Sequence, residues 1–199
     1  IDPVNRSSAM VIHHNVTPAR FLAGWNRETA YLAHRARREL EETAPITEAA
    51  VADSEFNARE LAELEFPPAT VIPLIPDFDR LEKEPDKRIV EKYSDGKSTC
   101  LFVGRISPNK KIEDIIRSFA CYQKNFREES RLILIGNDRQ FPGYTKALRN
   151  LIEDLGLREA ILTGKVSAAE LRGYYRSADC FISMSEHEGF GVPLLEAMY

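Results

Sequence analysis

From residue 98 onward the chain alternates between two hydrophobic rhythms. Apolar runs over Thr99–Val103, Arg131–Ile135, Ala160–Leu162 and Cys180–Met184 read as strands, the first two closed by Gly104 and Gly136. Between them apolar residues recur at helical spacing. Ile112, Ile115, Ile116, Phe119 and Tyr122 predict a helix over Ile112–Phe126. Further helices are predicted over Tyr144–Leu155, stopping at Gly156, over Ala168–Arg176, and from Val192 onward. Runs such as Leu132-Ile133-Leu134-Ile135 lack polar alternation, as strands covered on both faces do. The repeated strand–helix order predicts an α/β fold, a Rossmann-like parallel sheet with helices on both faces.

The first part carries the same rhythm less completely. Met10–Ile12, Ala49–Ala52 and Val71-Ile72 read as strands, and Arg27–Glu42 as a charged amphipathic helix. Ser54–Leu64 reads as a second helix, with Asp53 or Ser54 as its N-cap. Pro73–Lys97 is polar, contains Pro73, Pro76 and Pro85, and reads as a connector with a turn or two of helix in Asp86–Tyr93. The expected organisation is part of an N-terminal Rossmann-like domain over residues 1–80, a linker over 81–97, and a C-terminal Rossmann-like domain over 98–199. Two sheets with a cleft between them follow from that division.

Composition narrows the function. The 199 residues are 43% hydrophobic and 29% charged, enough for a real core, and the net charge is −4. An acidic chain lacks the basic field that binds nucleic acid. No apolar run approaches the ~20 residues of a membrane span, and no signal-peptide pattern opens the chain. Cys100, Cys121 and Cys180 are scattered and read as free thiols in a reducing compartment, with no Cys/His spacing for a metal. A cytoplasmic location is expected.

The candidate chemistry concentrates near the C-terminal end. Glu186-His187-Glu188-Gly189-Phe190-Gly191-Val192-Pro193-Leu194-Leu195-Glu196-Ala197-Met198 places Glu188 and Glu196 on either side of a glycine-bearing turn that runs into a helix. Gly189 and Gly191 let a ligand approach the backbone, Pro193 suits the first helical turn, and amides at a helix N-terminus attract phosphate. Gly104-Arg105-Ile106-Ser107-Pro108-Asn109-Lys110-Lys111 follows a strand and holds an Arg fork and two mobile Lys charges. Loops at the carboxyl ends of parallel strands are where such sheets bind ligands.

These residues resemble the Glu-x7-Glu signature of the retaining, group 1 glycosyltransferases, with Glu188 and Glu196 as the two glutamates. Gly104-Arg105 and Lys110 match the family's Gly-Arg followed by Lys, with Lys111 adjacent, so either lysine remains open. Leu132–Gly136, Thr163-Gly164-Lys165-Val166-Ser167 and Tyr174–Ser185 match in order. The resemblance covers Leu101–Met198 closely and the first half more loosely.

The resemblance implies a hexosyltransferase. A sugar would pass from a nucleotide diphosphate sugar to an acceptor hydroxyl with retention, in polysaccharide or glycolipid synthesis. Arg105, Lys110 and the helix N-terminus near Gly191–Leu194, Val192 included, would take the diphosphate, Glu196 the ribose, and Glu188 the donor sugar. Gly189, Phe190 and Gly191 would line the donor, and the loop at Val166 would lie near the base. The family places a histidine of the first domain at the reaction centre, and His13 and His14 both qualify. The resemblance implies no cofactor and no metal. The partners implied are a nucleotide-sugar donor and a sugar or lipid-linked acceptor, with no nucleic acid.

Arg35, Arg37 and Arg38, with Glu39, Glu41 and Glu42, read first as a solvated helix face; a peripheral contact with anionic lipid at the inner face of a membrane, or with a phosphorylated acceptor, is the other reading. Measured against the family pattern, the chain lacks much of the N-terminal domain and the closing C-terminal elements. A fragment, inactive in isolation and prone to self-association through a sheet edge, is therefore expected. Two other readings stay open: an epimerase or phosphorylase on the same architecture, and a non-catalytic sugar-nucleotide-binding module.

Overall fold

A computed structural model describes residues 9–199. The chain divides into two units, one made of the residues up to Ile75 with His187–Gly191, the other of Pro76–Glu186 with Val192–Tyr199.

In the first unit, β1 (Ala9–His13), β2 (Thr47–Ala52) and β3 (Ala69–Val71) form a parallel sheet in that order. The helix α1 (Arg27–Thr43) connects β1 to β2, and α2 (Glu55–Glu63) connects β2 to β3. Each helix starts on a side-chain cap. Asn26 accepts from the Thr29 amide at 2.9 Å, and Ser54 from the Asn57 amide at 3.2 Å. The core is built of small residues, Ala44, Ala50 and Ala52, closed by Leu61 and Phe66. Arg35 and Arg38 pair with Glu39 and Glu42 one turn on, while Arg37 turns inward to Glu60 and to the Val16 carbonyl. The three arginines therefore form no joint basic patch.

In the second unit, β4 (Ser98–Val103), β5 (Ser130–Ile135), β6 (Ala160–Gly164) and β7 (Cys180–Phe181) form a parallel sheet in the order β6-β5-β4-β7. The helices α5 (Ile112–Asn125), α6 (Pro142–Asp154) and α7 (Ala168–Ser177) alternate with these strands, and α8 (Val192–Met198) closes the series. On one face Leu101, Ile133 and Ile135 pack with Tyr93 and Tyr174. Ile112, Ile115, Ile116 and Phe119 give α5 its buried stripe.

Every residue of β5 is buried, Arg131 included. Its guanidinium is tied to Asp95, lies 3.6 Å from Glu159, and stacks 4.8 Å over the Tyr93 ring. The hydrogen bond from Arg131 holds the Asp95 carboxyl below its usual range. A buried charge needs such a set of partners.

The segment read as a connector contains two helices, α3 (Asp79–Glu82) and α4 (Lys87–Tyr93). The latter packs on α7 so closely that a Cβ at Gly173 would come within 2.8 Å of the Ile89 Cβ. The run Cys180–Met184 pairs for only two residues, Cys100↔Cys180 and Leu101↔Phe181. The Ile182 amide still donates to the Leu101 carbonyl at 2.8 Å before the chain turns away. All three cysteines are free, and burial pushes the Cys100 thiol up to about 11.

Candidate active site

The strand order decides where the second unit can hold a ligand. From β4 the sheet grows through β5 to β6 on one side, and β7 joins β4 on the other. The order reverses at β4, and open α/β sheets take their ligands outside the carboxyl ends of the strands at such a point.

Backbone hydrogen bonds shape that edge. The Gly104 amide donates to the Ile135 carbonyl at 2.9 Å, Ile106 to Asn137 at 3.1 Å, and Gly136 to Gly164 at 3.1 Å. Gly136 can only be glycine, because a Cβ there would lie 1.6 Å from the Gly104 carbonyl oxygen. This zipper fixes the loop bearing Arg105, whose side chain is exposed.

A 3-10 turn, Pro108–Lys110, then brings the chain to Lys111, which takes φ 51° just before α5. The Lys111 ammonium lies 3.5 Å from Glu186 and 3.9 Å from both Glu113 and Asp114. Its charge is thus shared among three carboxylates. Lys110 lies on the turn and is half-buried. Tyr144 braces the start of α5. Its hydroxyl accepts from the Ile112 amide at 3.1 Å and donates to Glu113, and burial raises its pKa. The loop after β7 joins this edge through the Glu186 amide, which donates to the Asn109 carbonyl at 3.0 Å. The loop after β6 turns at Gly164 and enters α7 through a Ser167–Glu170 capping box. Val166 packs against the Leu101–Tyr174 core cluster.

Glu196 lies on α8 and is only 6% exposed. Its Oε2 accepts from the Tyr175 hydroxyl at 2.8 Å, and its Oε1 is ion-paired with Arg80. Burial raises the Tyr175 pKa against the opposing pull of Arg80, so the phenol stays protonated and donates.

The remaining candidates group with the first unit. His13 is 4% exposed, and its Nε2 donates to Glu60 at 3.0 Å. Burial pushes the Glu60 carboxyl up, but the bonds from His13 and Arg37 prevail and lower it to about 2. His14, next in the strand-end loop, has a side chain 62% exposed, with Nδ1 3.4 Å from Asp53 Oδ2. Asp53 is buried and accepts from Asn57, which in turn accepts from Asn15 at 2.6 Å.

The Glu188 loop lies on this network. Ser54 Oγ donates to the Gly189 carbonyl at 3.2 Å, and a Cβ on Gly189 would come within 2.9 Å of the His14 carbonyl oxygen. The buried His187 ring sits 5.9 Å from both Phe21 and Phe56 and anchors the loop between them. Glu188 is exposed, Phe190 is half-buried, and Gly191 takes φ 83° before Val192 starts α8. The structure thus brings Glu188-Gly189 to His14, and buries His13 away from solvent.

Sequence reasoning did not reach Arg80 or Glu60, and reached Asp53 only as an N-cap candidate. Arg80 falls in a segment with no periodic signal. Tyr175 was visible only as one letter of the run leading to β7. Among the described residues no group of three or more His, Cys, Asp or Glu side chains is arranged to hold a metal ion, and no helix is long and apolar enough to cross a membrane.

Residues 83–199, which carry Arg105, Glu188 and Glu196, match the family model described as glycosyl transferases group 1. The chain belongs to the group 1 glycosyl transferases. Among curated relatives of this family, it is 33% identical over 101 residues to a GDP-mannose:cellobiosyl-diphosphopolyprenol alpha-mannosyltransferase of Xanthomonas oryzae, covering 50% of this chain and 26% of that protein. It is 30% identical over 105 residues to the alpha-monoglucosyldiacylglycerol synthase of Streptococcus pneumoniae, covering 52% of this chain and 23% of that protein.

The fold is that of solved glycosyltransferases. Anabaena HepE, crystallised with UDP and glucose, superposes with a TM-score of 0.72 at 17% identity, over 97% of this chain and 50% of HepE. WaaG, a glycosyltransferase involved in lipopolysaccharide biosynthesis, gives 0.68 at 18% identity, over 98% of this chain and 55% of WaaG. The group 1 chain described here therefore spans about half the length of these structural neighbours.

Proposed function

We propose that this protein takes part in transfer of a sugar from a nucleoside diphosphate sugar to an acceptor hydroxyl, with retention, in glycolipid or polysaccharide synthesis. The observation that carries the reading is the Glu188-x7-Glu196 pair, intact inside the stretch that matches the group 1 family. In the transfer, the bond from the anomeric carbon to the diphosphate oxygen breaks and the acceptor oxygen takes its place on the same face. The acceptor proton ends on the released diphosphate.

The charge left on the diphosphate is the main barrier, and cations held in place lower it. Arg105, exposed on a rigid loop, and Lys110 on the adjoining turn supply that charge. Lys111, next in the chain, shares its charge among three carboxylates. The free amides at the start of α8 add to the same stabilisation. Glu196 accepts hydrogen bonds from the ribose, and Glu188 from the donor sugar. Of the two histidines His14 is the one exposed enough to serve the reaction, since His13 is committed to Glu60. The relatives' printed names supply the setting: one uses a diphosphopolyprenol acceptor and another makes a glycosyldiacylglycerol. A cytoplasmic enzyme peripheral to the membrane fits both.

Calorimetric titration with UDP, GDP and ADP tests the reading. One nucleotide should bind selectively, and Glu196→Gln should weaken it about tenfold or more, the worth of a hydrogen bond to a charged group. Equal affinity in both proteins would remove Glu196 from the donor site.

A further inference from the structure

Glu196 is the only buried glutamate among the described residues, and a buried carboxylate keeps one charge state and one orientation only if donors hold it. Tyr175 supplies one donor, to Oε2. The compensating charge comes from Arg80, whose side chain is 49% exposed and belongs to the short helix α3.

That helix is itself held in place. Arg172 of α7 donates to the Arg80 carbonyl at 3.2 Å and to the Glu84 carbonyl at 2.9 Å. The Phe78 ring stacks on Tyr199 at 4.8 Å, and the Tyr199 hydroxyl donates to Glu82 at 2.5 Å. The Arg80 backbone is therefore tied from both sides before its side chain reaches Glu196. A cavity of about 370 Å³ adjoins the pair, lined by Leu81, Arg172, Tyr175 and Glu196 among others.

We infer that Arg80 is a positioning residue for donor recognition: it keeps the Glu196 carboxylate charged and aimed, so that its remaining acceptor sites take the ribose hydroxyls. A carboxylate has about four acceptor sites; Tyr175 takes one, on Oε2, and Oε1 is ion-paired with Arg80 without accepting a hydrogen bond, which leaves sites for a diol. The inference rests on the reading of Glu196 as the ribose-binding group.

The test compares whichever of UDP, GDP or ADP binds with its 2′,3′-dideoxy analogue, by calorimetry. The wild-type chain should prefer the ribonucleotide by about tenfold or more. Arg80→Ala should bring the two affinities together by weakening the ribonucleotide alone, and Arg80→Lys should restore part of the preference. Circular dichroism and Tm confirm folding; if the alanine variant does not fold, Arg80→Gln carries the comparison. An undiminished preference in the folded variant would overturn the inference. So would tighter ribonucleotide binding, which would mean that Arg80 competes with the ribose. Equal loss for both nucleotides would overturn it too, by reducing Arg80 to a support of the fold. A wild-type chain that binds both nucleotides equally fails differently, because then Glu196 does not read the ribose at all.

Discussion

The two units solve the burial of a parallel sheet with different materials. In the second, the interior is aliphatic and aromatic, and whole strands such as Leu132–Ile135 lie out of solvent. In the first, the core is mostly alanine, and beside it runs a polar network: His13, Glu60 and Arg37, then Asp53, Asn57 and Asn15. Apolar packing is insensitive to pH and intolerant of lost volume. A polar network tolerates small volume changes but depends on the charge of its members. The loop bearing Glu188 rests on the polar unit, and the loop bearing Arg105 grows from the apolar one.

The sharpest test of the contrast is steric and volumetric. Leu134→Ala should cost about 2–5 kcal/mol in chemical denaturation, because it leaves a cavity among fully buried neighbours. Gly136→Ala should cost more than the ~1–3 kcal/mol of ordinary overpacking, since its methyl would meet a backbone oxygen that cannot move aside. A fall in stability of less than 1 kcal/mol for either would mean that the second unit is looser than its packing indicates.

The polar unit is tested by pH. The bonds from His13 and Arg37 lower the folded Glu60 carboxyl from its ordinary 4.5 to about 2. A depressed carboxylate stabilises the fold above its unfolded pKa and ceases to do so as the pH falls through its folded pKa. Stability from Glu60 should therefore be complete above about pH 4.5 and fade towards about pH 2. Glu60→Gln should destabilise the neutral-pH protein by about 1–3 kcal/mol and flatten that part of the acid profile. An unchanged profile would show that Glu60 does not govern it. The smallest effect is expected on the surface of α1, where Arg35→Ala should shift the denaturation midpoint least of these variants, because solvent screens an exposed helix-face pair. A larger loss would mean that the helix-face pairs do more than sit in solvent.

Much of this was legible in the chain. Long apolar runs became β4 and β5, and the spacing of Ile112, Ile115, Ile116 and Phe119 became the buried stripe of α5, because burial on one or both faces leaves a periodic record. The N-cap at Ser54 was legible for a local reason: its bond reaches only three residues ahead. The short pairing of β7 was not, since Ile182–Met184 are strand-like letters and only their neighbours decide whether a ladder continues. The choice between His13 and His14 was not legible, since Met10-Val11-Ile12 is an unbroken apolar run and only the folded strand shows its phase. His13 falls in phase with Val11 and opposite to the exposed Met10 and Ile12. The partner that confirms it, Glu60, lies 47 residues away.

The sequence by itself determined the α/β class, the succession of elements and the family motif with Arg105, Glu188 and Glu196, because propensity, periodicity and short-range spacing are local properties of a chain. The tertiary structure alone decided the reversal of strand order at β4, the commitment of His13 to Glu60 and of Lys111 to three carboxylates, and the closure of Arg80 and Tyr175 on Glu196. Each of these joins residues whose separation along the chain carries no periodic signal, and which meet only once strands have chosen their neighbours and helices their faces.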